Sequence, residues 1–143
     1  LILPDMSIEE SKDYLKSARK NKLDTIFLVS PNTNNARLKK IAKVSTGFLY
    51  MVAVFGTTGV QTKIHKYTID SIKNAKKIVG HKLPIGIGFG VSTPSDVKKY
   101  VSVGVDAVIV GSANLKIIEN TPSSKLQRRI TEYTKKLKRS TRL

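Results

Sequence analysis

Short apolar runs in the chain alternate with longer segments in which apolar residues recur every three or four positions. The runs predict buried β-strands, and the longer segments predict amphipathic helices. The first run, at residues 1–5, is long enough only for the end of a strand. Further strands are predicted at residues 24–30, 47–54, 84–88 and 106–111. Helices are predicted at residues 7–21, 34–44, 68–79, 94–103 and 123–139, with a short extra helix at 114–119.

This strict alternation contains no sequence signal for a β-hairpin. Strands that are apolar on both faces and are separated by amphipathic helices predict a parallel α/β sheet covered by helices. Two architectures fit, the open doubly wound sheet and the closed (β/α)8 barrel. A whole barrel needs about 250 residues, and this chain has 143. We therefore expect one domain over residues 1–143, with 123–143 as a terminal helix and basic tail.

Two helix starts carry capping signals. Ser7 with Glu10 three residues later predicts a capping box at the start of the first helix. Thr93 is the expected N-cap of the helix at 94–103, with Pro94 at its first position and Asp96 at its third. The backbone N–H groups of the turn before this helix would then form an anion site.

The charge balance is strongly basic, with a formal net charge of +16. Such a charge attracts anions, from phosphorylated metabolites to nucleic acid. The lysines are dispersed over predicted helix faces, however, and only residues 135–142 form a cluster. Aromatic residues do not interleave with the basic stretches, which disfavours nucleic acid as the main partner.

Other composition features narrow the class of protein. The absence of cysteine excludes disulfides, thiolate metal sites and a cysteine nucleophile, and two histidines make a histidine-rich metal site improbable. We expect neither a membrane span nor a signal peptide, because the apolar runs are short and the first residues lack a basic region. A cytoplasmic protein without a membrane partner is the expectation.

The stretch "PIGIGFGVSTP" at residues 84–94 is rich in glycine. It fails as a dinucleotide-binding fingerprint, because Thr93 stands where the third glycine is required. Glycines there would let backbone amides approach a ligand, or would merely ease a strand-to-helix turn. A second turn, Gly111-Ser112-Ala113, leads from the last strand into the short helix. Paired glycine turns of this kind after neighbouring strands form the phosphate site of many barrels, so the pair favours phosphate binding and a barrel.

The motifs "PDMSIEES", "DTIFLVSPNTNNARLKKIAKVSTGFLYMV", "GTTG", "GFGVSTPSDV" and "DAVIVGSA" together resemble the tryptophan synthase α chain, in register from residue 1 to about residue 139. The resemblance implies a (β/α)8 barrel of which this chain covers the C-terminal half. It implies a lyase of tryptophan biosynthesis that cleaves indole-3-glycerol phosphate to indole and glyceraldehyde 3-phosphate. It also implies a β subunit as partner in an α2β2 complex; the β subunit carries PLP, and the α chain has no cofactor.

The phosphate-binding residues of the family match Phe89, Gly90, Gly111 and Ser112, with Gly88 beside them. The resemblance places Ile2, Leu28 and Tyr50 in the indole pocket; each has an alternative role as a core residue. The mobile loop that closes over substrate, with Thr58 as the closing residue, corresponds to Gly56, Thr57, Thr58 and Gly59.

This chain departs from the family in three respects. Thr57 stands where the family usually has valine, and Ala53 and Val54 stand where it commonly has serine and arginine. The two catalytic carboxylates of the family belong to its second strand and the following loop, upstream of these residues. Asp5, at a strand end, is a weak candidate for a catalytic carboxylate, and its alternative role is to orient the backbone or to cap. Asp106 precedes its strand and therefore belongs to the amino-terminal end of the barrel, the stability face, away from the active site.

By itself the chain is expected to be inactive, and either the other half-barrel or a second copy would cover its open face and edges.

Two functions other than the lyase stay open at this stage. A catalytically silent half-barrel that binds phosphate is the first alternative to the lyase. A basic nucleic-acid-binding module is the second.

Overall fold

The computed structural model of the chain describes residues 1–53 and 66–142. Its helices are α1 Lys12–Lys20, α2 Asn35–Val44, α3 Lys66–Val79, α4 Pro94–Val103, α5 Ser112–Glu119 and α6 Ser123–Arg139. Its strands are β1 Leu28–Val29, β2 Leu49–Val52, β3 Ile85–Gly88 and β4 Ala107–Val108. Within the described ranges, no helix is both long and apolar enough to cross a bilayer.

The four strands form one parallel sheet in the order β1-β2-β3-β4. A parallel bridge between Ile2 and Ile26 adds the predicted strand end at the outer side of β1. Each strand therefore lies beside its neighbour in sequence, and the order never reverses. A doubly wound sheet requires a reversal, so this topology agrees with the barrel prediction.

One face of the sheet packs against the helices. Its strand residues are buried because α2, α3 and α4 cover them, through helix residues such as Leu38, Ile72 and Val97. This agrees with the apolar helix faces that the sequence predicts. The residues on this face are Phe27, which directly precedes β1, and the strand residues Val29, Leu49, Met51, Ile85 and Ile87.

The alternate strand residues point to the opposite face. Leu28 pairs with Tyr50, and Val52 pairs with Gly88. Leu28, Tyr50 and Val52 are only half-buried. A strand presents alternate residues to its two faces, so this second face corresponds to the interior of a barrel, and it stays partly open in the described part of the chain.

The start of α1 is a correction to the sequence analysis. The predicted capping box at Ser7 and Glu10 does not begin a helix, because α1 starts at Lys12 with Ser11 as its N-cap. Ser7 and Glu10 instead form a side-chain hydrogen bond of 2.6 Å within a turn. Ser11 is fully buried, and its hydroxyl donates to the Ile8 carbonyl at 2.8 Å. Ile8, which lies in this turn, packs against the core.

The predicted boundaries of α4 and α6 are confirmed by the structure. The Thr93 hydroxyl caps α4 by accepting a hydrogen bond from the Asp96 N–H at 3.1 Å, and Asp96 Oδ2 accepts one from the Thr93 N–H at 2.8 Å. Gly80 follows α3 with φ of +60°, a conformation in which glycine avoids the steric cost of a side chain. These agreements arise because capping depends on residues only a few positions apart.

Asp106 joins α3 to β3 at the amino ends of the strands. This end of the sheet is the stability face, where the sequence analysis predicts Asp106 to lie. Its Oδ2 accepts hydrogen bonds from Lys76 Nζ at 2.6 Å and from the Ile85 N–H at 2.7 Å. Partial burial acts to raise the pKa of Asp106, but these two hydrogen bonds outweigh it and hold that pKa below its ordinary value. The carboxylate therefore links α3 to the start of β3.

We expect Asp106→Ala to lower the free energy of unfolding by about 1 kcal/mol at neutral pH, since the carboxylate is partly exposed and its ion pair is screened. Because folding lowers the pKa, the contribution is present above the unfolded-state pKa of about 4 and is lost as the pH falls through the folded value. Urea unfolding of wild type and variant between about pH 3 and pH 7 measures both effects. A stability difference that stays constant over this range would contradict the assignment.

Candidate functional site

The two glycine turns follow neighbouring strands. Ile87 pairs with Val108, and the Ile109 N–H donates to the Ile87 carbonyl at 2.7 Å. β3 ends at Gly88, and the chain beyond β4 reaches Gly111 at the same edge of the sheet. The carboxyl ends of parallel strands are where barrels bind ligands. The tertiary structure therefore brings together the two turns singled out in the sequence.

Helix α5 begins directly after the second turn. Its N-cap is Gly111, which has no side chain to cap the helix. The first turn of α5 contains no acidic residue. The first N–H groups of a helix have no partner within the helix and carry partial positive charge. A Cβ added at Gly111 would meet nothing within 4 Å. This helix start has room for an anion and no built-in carboxylate to compete with it.

The start of α4 is different, and it corrects the expected anion site there. Asp96 Oδ2 accepts hydrogen bonds from the Ser92 N–H at 3.1 Å and from the Thr93 N–H at 2.8 Å. The chain's own carboxylate therefore occupies the amides that the sequence analysis offered to a ligand. In this turn, the backbone at Phe89 and Gly90 lies nearer the strand than the two amides that Asp96 binds.

Phe89 and Gly90 both have left-handed backbone conformations, with φ of +70° and +76°. Glycine adopts this region freely, whereas phenylalanine does so at a cost of about 1–2 kcal/mol. Phe89 is also 55% exposed. A strained, exposed aromatic residue of this kind persists only where its surroundings hold it, and such residues cluster at functional sites.

Tyr50 lies across the end of β3. A Cβ at Gly88 would lie 2.6 Å from Tyr50 Cζ and closer still to its hydroxyl. Gly88 is therefore required by the tyrosine side chain, a reason that sequence analysis does not identify. The Tyr50 ring meets Phe89 edge-on at 6.0 Å between centroids and lies 6.2 Å from Phe48. Burial raises the pKa of Tyr50, so the phenol stays protonated and can donate a hydrogen bond at neutral pH.

Leu28, Ile2 and Asp5 lie further along the sheet. Leu28 pairs with Tyr50 and lines a cavity of about 250 Å³ at the end of β1, together with Met6 and Ser30. Ile2 pairs with Ile26. Ile26 lies two residues before Leu28 and therefore on the same face of the sheet. Asp5 is exposed in the turn that follows Ile2. Leu28 and Tyr50 are thus adjacent, whereas Ile2 and Asp5 lie at the outer edge.

The predicted mobile loop, Gly56 to Gly59, lies outside the described residues. Across residues 1–53 and 66–142, no group of three or more His, Asp or Glu side chains could hold a metal ion. Sequence analysis identified Asp96 only as part of the cap of α4, and it missed Tyr133; both residues hold the turn that follows β3. The only signal for Tyr133 is its place on the apolar side of α6, which is typical of any packed helix.

Comparisons with known proteins agree with the geometry. The family described as the tryptophan synthase alpha chain matches residues 1–142. The alpha chain of Thermococcus kodakarensis is 34% identical over 94% of this chain, and that of Methanothermobacter thermautotrophicus is 42% identical over 82%. The solved tryptophan synthase α2β2 complex of Pyrococcus furiosus contains a similar chain, with a TM-score of 0.83, 33% identity and 95% of this chain covered.

The chain spans about half the length of these relatives: 53% of the Thermococcus chain, 43% of the Methanothermobacter chain and 54% of the Pyrococcus chain. The structural match covers 95% of this chain. It confirms the barrel prediction, with this chain providing about half of the barrel. The open face of the sheet is the interior of that barrel.

Proposed function

The chain belongs to the tryptophan synthase alpha chain family, and from this membership we propose that it forms the C-terminal half of a (β/α)8 lyase. The proposed reaction is the cleavage of indole-3-glycerol phosphate to indole and glyceraldehyde 3-phosphate. The proposed partner is a β subunit, since the solved Pyrococcus relative is an α2β2 complex.

The proposed phosphate site consists of the start of α5 and the first glycine turn. Ser112 and Gly111 contribute backbone N–H groups from the helix end, while Phe89 and Gly90 contribute the facing turn, beside Gly88. The positive end of α5 would stabilise the phosphate charge. The strongest single support is the 2.7 Å hydrogen bond from the Ile109 N–H to the Ile87 carbonyl, because the two turns follow the strands that this bond pairs.

The proposed indole pocket lies on the open face of the sheet. Tyr50 and Leu28 are adjacent there, and Tyr50 also contacts Phe89 of the proposed phosphate site. Aromatic and aliphatic side chains favour a planar apolar ring, and edge-to-face packing adds to the binding. We propose Ile2 as an outer part of the same pocket, and Thr58 with its loop, Gly56 to Gly59, as the segment that closes over the substrate.

Proton transfer needs carboxylates that this chain does not place in the pocket. Asp96 is bound to backbone amides, Asp106 lies at the other end of the strands, and Asp5 is exposed at the outer edge. We therefore propose that the first four β/α units of the barrel, which lie upstream of these residues in the family, supply both catalytic carboxylates. The chain alone should bind phosphate without cleaving the substrate.

Complementation tests the proposed function. The chain is mixed with a polypeptide that carries the first four β/α units of the Thermococcus relative, and release of indole from indole-3-glycerol phosphate is measured. We expect activity from the mixture and none from either half alone. A folded, stoichiometric complex that releases no indole would overturn the lyase proposal in favour of a silent phosphate-binding half-barrel. A complement with both carboxylates changed to amides controls for contaminating activity.

Ser112→Asp tests the phosphate site within the same assay. An aspartate at the first position of α5 stabilises the helix end, yet it repels a phosphate from the same place. We expect KM to rise by about tenfold or more, since a like charge costs several kcal/mol at close range, with little change in stability. Ser123→Asp is the matched control, because it adds the same charge at the first position of α6. Equal KM values for the two variants would contradict the site.

A further inference from the structure

Both backbone polar groups of Ser92, its N–H and its carbonyl, are held by hydrogen bonds. The Ser92 N–H donates to Asp96 Oδ2 at 3.1 Å, and the Ser92 carbonyl accepts a hydrogen bond from the Tyr133 hydroxyl at 2.7 Å. Asp96 lies four residues away on α4, but Tyr133 lies 41 residues away on α6. The terminal helix thus contacts the turn that follows β3 directly.

From this contact we propose that Tyr133 is a positioning residue for phosphate binding. It would act by holding the turn that contains Phe89 and Gly90 in its strained conformation. The inference rests on the proposed function, because it assigns a role within the same phosphate site. Tyr133 itself would not touch the ligand.

The position of Tyr133 on α6 supports this role. Leu126, Ile130, Tyr133 and Leu137 are the half-buried apolar residues of α6, and they recur at helical spacing on one side. The Lys and Arg residues of the helix are exposed. The apolar side packs α6 against the body of the protein, with Leu137 against the core, so the Tyr133 hydroxyl approaches Ser92 from a packed helix.

The turn itself needs such support. Val91, which precedes Ser92 in the chain, is buried. The backbone from residue 91 to residue 93 is therefore held by the packing of Val91 and by the hydrogen bonds of Ser92 and Thr93. The left-handed φ of Phe89 carries a cost that only the surroundings can offset. Without the bond to Tyr133, the turn loses its hydrogen bond to α6 and is freer to relax away from the geometry that faces α5.

Tyr133→Phe is the direct test, since it removes only the hydroxyl and keeps the ring. The full chain is titrated with inorganic phosphate at constant ionic strength, set with chloride, and the melting temperature is followed. We expect wild type to be stabilised by phosphate. The apparent Kd for phosphate should rise about five- to tenfold in Tyr133→Phe, the usual size of one lost hydrogen bond, while the melting temperature without phosphate changes little.

Leu137→Ala is the matched control on the same side of α6. It should lower the melting temperature without phosphate and leave the apparent Kd unchanged, because Leu137 packs against the core. A wild-type chain that shows no phosphate-dependent rise would overturn the phosphate site and this inference with it. A phosphate-stabilised wild type with an equal Kd in Tyr133→Phe would overturn the role of Tyr133 alone.

Hydrogen exchange provides a readout without ligand. Amides of residues 89–92 should exchange faster in Tyr133→Phe than in wild type, because the turn loses its hydrogen bond to α6. Leu137→Ala should not increase exchange there beyond its effect on the whole domain. Unchanged exchange of this turn in Tyr133→Phe would contradict the positioning role.

Discussion

Gly88→Ala is expected to lower the free energy of unfolding by about 2–3 kcal/mol, the upper part of the usual range for overpacking. The added Cβ would lie 2.6 Å from Tyr50 Cζ and closer to the hydroxyl. β3 is fully buried and paired on both sides, so the strand cannot move away. The Tyr50 ring must leave its place beside Phe89, and its near-ultraviolet circular dichroism should change. Urea unfolding measures the loss of stability.

Two further variants separate this clash from a general intolerance of alanine. Gly111→Ala should change stability by less than about 0.5 kcal/mol, because its Cβ would meet nothing within 4 Å and its φ of −111° suits any residue. Tyr50→Ala with Gly88→Ala should be less destabilised than the sum of the two single variants, since the clash is absent without the ring. Strict additivity would show that Tyr50 is not the reason for the glycine.

Base-induced unfolding should depend strongly on Tyr100. Burial raises the pKa of this α4 residue to about 12, and the negative charge of Asp96 adds to the effect. Because folding raises the pKa, the stabilisation is complete below the unfolded-state pKa of about 10 and is lost as the pH rises through about 12. The shift corresponds to a loss of about 2–3 kcal/mol across this interval. Tyr100→Phe should not show this loss.

The measurement compares the free energy of unfolding of wild type and Tyr100→Phe from about pH 8 to about pH 11.5. Lysine side chains also lose their charge over this range, but that change is common to both proteins and cancels in the difference. Tyr14→Phe is the control. Burial raises the pKa of Tyr14 as well, but its side chain is less buried and should contribute less. Parallel curves for wild type and Tyr100→Phe would contradict the prediction.

The elements of the fold could be predicted because each depends on neighbours in sequence. The spacing of apolar residues determines α6, and the Thr93–Asp96 pair determines the start of α4. The same reasoning was wrong for α1, where Ser7 and Glu10 carry a capping pattern but Ser11 and Ile8 pack inward. A cap pattern predicts a helix start only if tertiary packing leaves those residues free to form it.

The sequence by itself determined a parallel α/β fold, and its two glycine turns with their family motifs indicated a phosphate-binding half-barrel. Only the tertiary structure decided which groups could serve the site. It showed that Asp96 occupies the amides before α4, that Tyr50 requires Gly88, and that Tyr133 holds Ser92. The physical reason is distance along the chain. Periodicity and caps act within a few residues, whereas these contacts depend on how strands and helices pack.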